Sequence, residues 1–345
     1  MKPRVTTDPD ALTCAKCSPW SALAEVELVM STPDGVVPVR IEQALAEGGM
    51  GVVHAAHAPG LGPLVVKVLH QRHAGDAGIA RRLEREAEHA ARVQHPHVVA
   101  VLGSGTLPDG RPFFAMERLA GATLGAIVRA RGPLDIARGL RLADQLLAGL
   151  SAVHEAGLVH RDLSPDNVFV ARDVARDAGQ APQTLRHERA VILDFGFAQA
   201  PGVDVGDGLT PDSPGSLVGT LTFMAPEQAT RGRAITARSD LFAAAVLLYY
   251  AFSGKLPFRG HDDLDVLVSV VRAAPVPLRR ERRDAPAALE QILGRALAKH
   301  PDGRFASARE MRAALASIAT EARRPLIAAP EQKRAVHSAS SRIPA

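Results

Sequence analysis

The chain has 345 residues, 46% of them apolar and 23% charged, with a formal net charge of +4. At about 100–200 residues per domain, this allows one large domain or two modest ones, each able to bury a core. The composition excludes a mostly disordered chain, a collagen and a disulfide scaffold, and so small a net charge implies no nucleic-acid partner by itself. The only two cysteines, Cys14 and Cys17, sit near the start. A fold of this size needs no disulfides, so the cytoplasm is the simplest setting. The longest apolar run, Leu241 to Phe252, is twelve residues. A membrane span needs about twenty, so the run reads as a buried core helix. No export signal is visible at the N-terminus.

In chain order, residues 1–37 hold five prolines or glycines and no sustained period, and are expected to form a tail. Residues 38 to about 70 alternate apolar and polar around a glycine cluster, which predicts strands joined by turns. Ile79, Leu83, Ala87 and Ala90 recur at helical spacing and predict a helix over 79–93. His95-Pro96-His97 stops it, and strands are expected at 98–102 and 112–118. Leu140, Ala143, Leu147, Leu150 and Val153 line one stripe of a long helix. Short strands are expected at 158–159, 168–170 and 190–193, with residues 171–189 as an insertion in a hairpin. Residues 198–219 read as a Gly/Pro/Asp/Ser loop. Helical patterns run from 226 to about 320, and 321–345 read as a loose tail. The expected architecture is a strand-rich lobe (38–120) followed by a helix-rich lobe (121–320).

Several residues stand out against this frame. The segment Leu45-Ala46-Glu47-Gly48-Gly49-Met50-Gly51-Val52-Val53 places glycines between two strands, where backbone N–H groups can approach a phosphate without a Cβ in the way. A plain glycine turn reads equally well. A P-loop is excluded, because no G-x-x-x-x-G-K-[ST] occurs. Only six of 41 basic residues are Lys, and Lys67 is the single lysine between positions 17 and 254. It lies in the apolar run Leu64-Val65-Val66-Lys67-Val68-Leu69. It either faces water on an edge strand or meets an anion, since a buried unpaired charge is costly. Glu86 shares the apolar face of the 79–93 helix, which makes it a candidate partner for Lys67. His160-Arg161-Asp162-Leu163-Ser164-Pro165-Asp166-Asn167 and Asp194-Phe195-Gly196 put carboxylates at the ends of apolar strands. Their hard oxygens suit Mg²⁺.

This set of motifs, in this order, resembles the eukaryotic-type protein kinases, and is most similar to bacterial Hanks-type serine/threonine kinases. The resemblance spans about residues 38–320. It implies an α+β, bilobal protein-kinase-like fold with a small β-rich lobe and a larger helical lobe. It also implies transfer of the γ-phosphoryl of Mg²⁺-ATP, with Mn²⁺ as a substitute, to protein Ser/Thr hydroxyls.

Residue by residue, the resemblance casts Leu45 to Gly51 as the cover over the phosphates and Val53 as the residue under adenine. Lys67, paired with Glu86, would hold the phosphates. Met116 matches the gatekeeper, and Glu117 to Leu119 the hinge. Asp162 matches the catalytic base, and Asn167 and Asp194 the metal ligands. Ala225-Pro226-Glu227 matches the A-P-E motif, Arg304 its partner, and Asp240 the aspartate bracing the catalytic loop. The chain departs from the family pattern at Ala46, Val65, Phe223 and, most consequentially, Ser164, where serine/threonine kinases usually carry Lys.

Arg161 before the base implies control by phosphorylation of the activation loop, with Thr210, Ser213 and Ser216 as candidates. Protein substrates are implied, together with autophosphorylation in a homodimer. No nucleic-acid partner or membrane span is expected. Two alternatives stand beside this reading. One is a catalytically weak nucleotide-binding scaffold, suggested by Ser164 and Ala46. The other is a small-molecule phosphotransferase, against which the long segment ending in A-P-E argues. Cys14-x-x-Cys17 is half of a zinc site at most, since four ligands are the norm.

Overall fold

The computed structural model describes residues 27–48, 50–172, 188–195, 198, 221–230 and 234–321. Six strands form the first lobe: β1 (Glu27–Thr32), β2 (Gly35–Glu47), β3 (Gly51–Ala58), β4 (Gly62–Leu69), β5 (Val101–Thr106) and β6 (Pro112–Glu117). Their order is β1-β2-β3-β4-β6-β5, and β1 returns to pair with β5 at Ser31 and Ser104, so the sheet closes into a barrel. Inside lie Leu28, Met30, Val39, Ile41, Leu64, Val66, Phe113 and Ala115, all buried.

The first strand overturns one expectation. Residues 27–32 fall within the segment expected to be a tail, yet they pair along their whole length with 35–40. The physical reason is a two-residue period: Leu28 and Met30 point inward while Val29 is 60% exposed. Pro33-Asp34 then turns the chain. The remainder of the N-terminal segment, Cys14 and Cys17 included, lies outside the described residues, as do 322–345.

Helix α1 (Ala77–Ala91) packs on the barrel through Leu83 and Ala87 against Leu69 and Phe114. Asp76 caps its start, accepting from the N–H groups of Gly78 at 2.8 Å and Ile79 at 3.1 Å. Such caps are worth about 1 kcal/mol. The strand expected at 98–102 begins at Val101 instead. Val98 and Val99 are used for a different purpose: Val98 bridges to Ile192, and the Val99 N–H donates to the Ile192 carbonyl at 3.0 Å, which joins the two lobes.

The second lobe holds α2 (Leu124–Arg131), α3 (Ile136–Glu155), α4 (Pro226–Ala229), α5 (Ala237–Ser253), α6 (Asp263–Arg272), α7 (Leu278–Glu281), α8 (Ala287–Ala296) and α9 (Ala308–Glu321). A small sheet lies over them, ordered β7 (Gly121–Thr123), β8 (Val168–Arg172), β9 (Glu188–Ile192). The run Leu241–Phe252 lies in α5 and is buried except at Tyr250, as a helix apolar almost all round should be. Strands β8 and β9 use residues 171, 172, 188 and 189, so the expected insertion narrows to 173–187, outside the described residues. Leu158 and Val159 are buried but form no named strand.

Candidate active site

The site lies where the two lobes meet. Strand β4 carries Lys67, with Val53 of β3 and Phe114 of β6 as its cross-strand neighbours. The Lys67 Nζ donates to Glu86 Oε1 at 2.5 Å and stands 3.5 Å from Asp194 Oδ2. Glu86 reaches it because the buried face of α1 carries Leu83, Glu86, Ala87 and Ala90 together. Of the two readings open for Lys67, the geometry selects the ammonium paired with anions. Asp194 comes from the other lobe, just beyond β9, so one ammonium links the barrel, α1 and the helical lobe.

The segment 160–167 is held from behind. The Asp240 carboxylate, at the start of α5, accepts from the N–H groups of His160 and Arg161 and from His154 Nε2, each at 2.8 Å. Burial alone would raise the Asp240 carboxyl, but the His154 bond and charge, with the backbone donors, hold it below its ordinary range. Arg161 and Asp194 take positive φ values of 68° and 57°. Non-glycine residues adopt this region at a cost and tend to do so at functional sites. Gln228 donates to the Arg161 carbonyl at 2.8 Å, and the His160 ring packs against buried Phe195 at 5.2 Å.

Asn167 donates through Nδ2 to the Asp162 carbonyl at 2.8 Å and to Asp162 Oδ2 at 3.1 Å. The other carboxylate oxygen, Oδ1, is buried with no hydrogen-bond partner among the described residues. Burial first, then the charge of Asp194, pushes the Asp162 carboxyl up to about 7. The same two causes push Glu86 up to about 7 against the pull of Lys67. Burial would lower the Lys67 ammonium, but Asp194 and Glu86 outweigh it and hold it above its usual value. Glu86 and Asp194 thus share the Lys67 ammonium, and Asp162 lies within reach of the Asp194 charge.

That surplus of negative charge, the orphaned oxygen of Asp162 and the hard oxygens of Asn167 and the partly exposed Asp194 together fit a divalent cation carried with a polyphosphate. Among the described residues no group of three or more His, Cys, Asp or Glu could hold a metal unaided. Mg²⁺ typically takes one or two carboxylates and completes its shell with phosphate and water.

The glycine segment lies between β2 and β3, with Ala46 opposite Val53. Gly51 is required there, since a Cβ would stand 2.3 Å from the Val68 carbonyl oxygen. The Gly48 N–H donates to the Gly51 carbonyl at 2.9 Å, and the buried His70 imidazole bonds through Nε2 to the Gly48 carbonyl at 2.8 Å. Met116 and Glu117 end β6 and Leu119 follows, both apolar side chains packing against the core. The Glu117 side chain turns away, accepting from the Ala100 N–H at 3.1 Å and from Arg189 Nη2 at 2.7 Å. Ser164 supplies its backbone carbonyl to the Asn167 N–H at 3.0 Å and brings no charge.

Glu227 and Arg304 meet in a fully buried bidentate pair at 2.6 and 2.7 Å, with Ser239 donating to Glu227 at 2.7 Å. Gly49, Gly196, Gly219, Thr220, Thr210, Ser213 and Ser216 lie outside the described residues. His70, Arg189, Arg129 and His154 carry site contacts that the sequence reading missed.

Comparison with known proteins gives the family and the fold. The pattern of the protein kinase domain matches residues 39–315. Serine/threonine-protein kinase pkn3 of Myxococcus xanthus is 38% identical over 289 residues, covering 83% of this chain and 50% of the relative. Serine/threonine-protein kinase PknB of Mycolicibacterium smegmatis is 34% identical over 294 residues, 84% of this chain and 44% of the relative. The chain therefore spans half or less of the length of these curated relatives. Among solved structures, the Mycobacterium tuberculosis PknI kinase domain superposes with a TM-score of 0.59 at 27% identity, covering 81% of this chain and 95% of that one.

Proposed function

The chain belongs to the protein kinase family, and from that premise we propose that it is a serine/threonine protein kinase, transferring the γ-phosphoryl of metal-bound ATP to hydroxyls on protein substrates. The observation that carries this reading is the Lys67 ammonium set between Glu86 and Asp194 at the junction of the lobes. Phosphoryl transfer asks a protein chiefly for positioning and charge neutralisation. Lys67 supplies a fixed positive charge whose direction Glu86 sets. When bound, Mg²⁺ neutralises the phosphate oxygens, and Asn167 and Asp194 would hold it. Asp162, steered by Asn167, orients the incoming hydroxyl and accepts its proton. The segment around Gly48 to Gly51 covers the phosphates, with Met116, Glu117 and Leu119 beside the base. The Ser/Thr preference rests on Pro165 and on the homology. Phosphorylation of Thr210, Ser213 or Ser216 by a second copy belongs to the same proposal.

The test is transfer of radiolabel from Mg²⁺-ATP by wild type, Lys67→Met and Asp162→Asn. Either variant is expected to lose at least about 100-fold in rate, the scale of losing one positioned charge or donor in a preorganised site. Asp162→Asn should still bind ADP. Nucleotide binding by wild type without any transfer would instead establish a scaffold.

A further inference from the structure

Asp166 adjoins Asn167, the residue whose side chain holds Asp162. Adjacent Cα atoms are about 3.8 Å apart, so Asp166 stands one residue from the side chain that holds Asp162. That carboxylate is engaged. Arg129 of α2 donates to it through Nη2 at 2.8 Å and Nη1 at 3.4 Å, and Thr123 Oγ1 donates at 3.4 Å. The Gly125 N–H donates to the Pro165 carbonyl at 2.9 Å, which fastens α2 to the same loop.

The pair faces outward, its side chains 56% and 41% exposed. Tyr250 of α5 lies in the field of both charges, and its ring meets Phe223 edge-on at 6.4 Å. Phe223 stands just ahead of Ala225-Pro226-Glu227. A continuous rim thus runs from α2, past the loop bearing Asp162, to the segment before α4.

A bare carboxylate at that place would draw basic residues of a substrate. Paired with Arg129 it does not, and the guanidinium has five N–H donors to offer. Ser164 adds no charge to the rim. Building on the kinase reading, we propose that Arg129 determines specificity: it masks Asp166 and makes this rim select phosphoacceptor segments with acidic residues beside the hydroxyl. Residues 198–219 of the chain itself have that composition, with three aspartates (Asp204, Asp207, Asp212), no Lys or Arg, and the hydroxyls of Thr210, Ser213 and Ser216.

The test uses the full-length chain with Mg²⁺-ATP and three peptides that share one serine and differ only in its flanks: aspartate, alanine or arginine. The aspartate peptide is expected to exceed the arginine peptide in kcat/KM by about fivefold, the scale of one exposed charge contact. Arg129→Ala bares Asp166 and should bring that ratio to about one or invert it. Arg129→Lys should keep most of the preference, and Arg129→Ala combined with Asp166→Asn should abolish it. A wild type without acidic preference overturns the inference. So does an Arg129→Ala variant slowed equally on all three peptides, which marks a purely structural role. Failure to label any peptide overturns it as well, and if the chain also fails to label itself, the kinase reading falls too.

Discussion

Arg189 donates to the Glu117 carboxylate at 2.7 Å and to the Pro96 carbonyl at 2.6 Å. One guanidinium on β9 thereby ties the helical lobe to the end of β6 and to the segment between α1 and β5. Both partners are partly buried, at 34% and 25% exposure. Arg189→Ala is expected to lower stability by about 1–2 kcal/mol, the range of a partly buried charge-assisted contact. Arg189→Lys should recover little of it, because a point charge cannot bridge two acceptors as a planar fork does. Urea midpoints compare the variants, and an unchanged midpoint in Arg189→Ala would show that the tie is idle.

His70 is buried and bonds the carbonyl of Gly48, while its own N–H donates to the Met50 carbonyl at 3.0 Å. His70→Leu keeps the backbone bond and the volume but removes the imidazole. The KM for ATP is expected to rise by about fivefold, equivalent to one net hydrogen bond of ~1 kcal/mol, with kcat nearly constant. A fall in kcat at unchanged KM would rule out a role confined to positioning the glycine segment.

In the nucleotide-free protein the carboxyls of Asp162 and Glu86 are pushed up to about 7, by burial first and the Asp194 charge second. For an acid with a raised folded value, the fold binds more protons than the unfolded chain. Stability therefore declines as pH climbs from the ordinary carboxylate range toward 7. A cation placed among these groups favours their ionised forms, so binding expels protons. Affinity for Mg²⁺-ADP is expected to rise with pH up to about 7 and to weaken below it, by about tenfold per unit for each titrating group. Calorimetry at pH 7 in two buffers of different ionisation heat should give different apparent enthalpies. Identical enthalpies would contradict the linkage.

The Glu227–Arg304 pair is fully buried, with Arg304 also donating to the carbonyls of Ala298 at 2.8 Å and Arg238 at 2.9 Å. Removing one member strands the other's charge, a loss of about 3–5 kcal/mol. Arg304→Ala should show that loss in denaturant unfolding. Replacing both members, as Glu227→Gln with Arg304→Met, should be milder than Arg304→Ala alone. If the double variant is the worse of the two, stranded charge is not the cause.

The motifs around Lys67, Asp162 and Asp194 could be read because their chemistry is carried by residue type and order. The lysine scarcity singled out Lys67, and helical spacing alone put Glu86 on the inner face of α1. Strand β1 escaped because its few residues sit among prolines and glycines. The alternation of Leu28 and Met30 ahead of Pro33-Asp34-Gly35 was nonetheless a hairpin signal. The bonds of His70 to Gly48, Arg189 to Glu117 and Arg129 to Asp166 had no such signal. Each joins an ordinary polar residue to a distant segment, and only the fold brings the two together. Val98 and Val99 read as strand because they are β-branched, whereas tertiary contact with Ile192 decides their state.

The ring closes at one register pair, Ser31 with Ser104, where β1 and β5 cover part of each other's margin. At that junction the strands turn toward each other rather than toward a neighbouring molecule that could add itself to a free margin. Deleting residues 27–34 would uncover β2 and β5 at once. The short opening hairpin thus acts as a guard against self-association, and a shortened protein should form oligomers as its concentration rises.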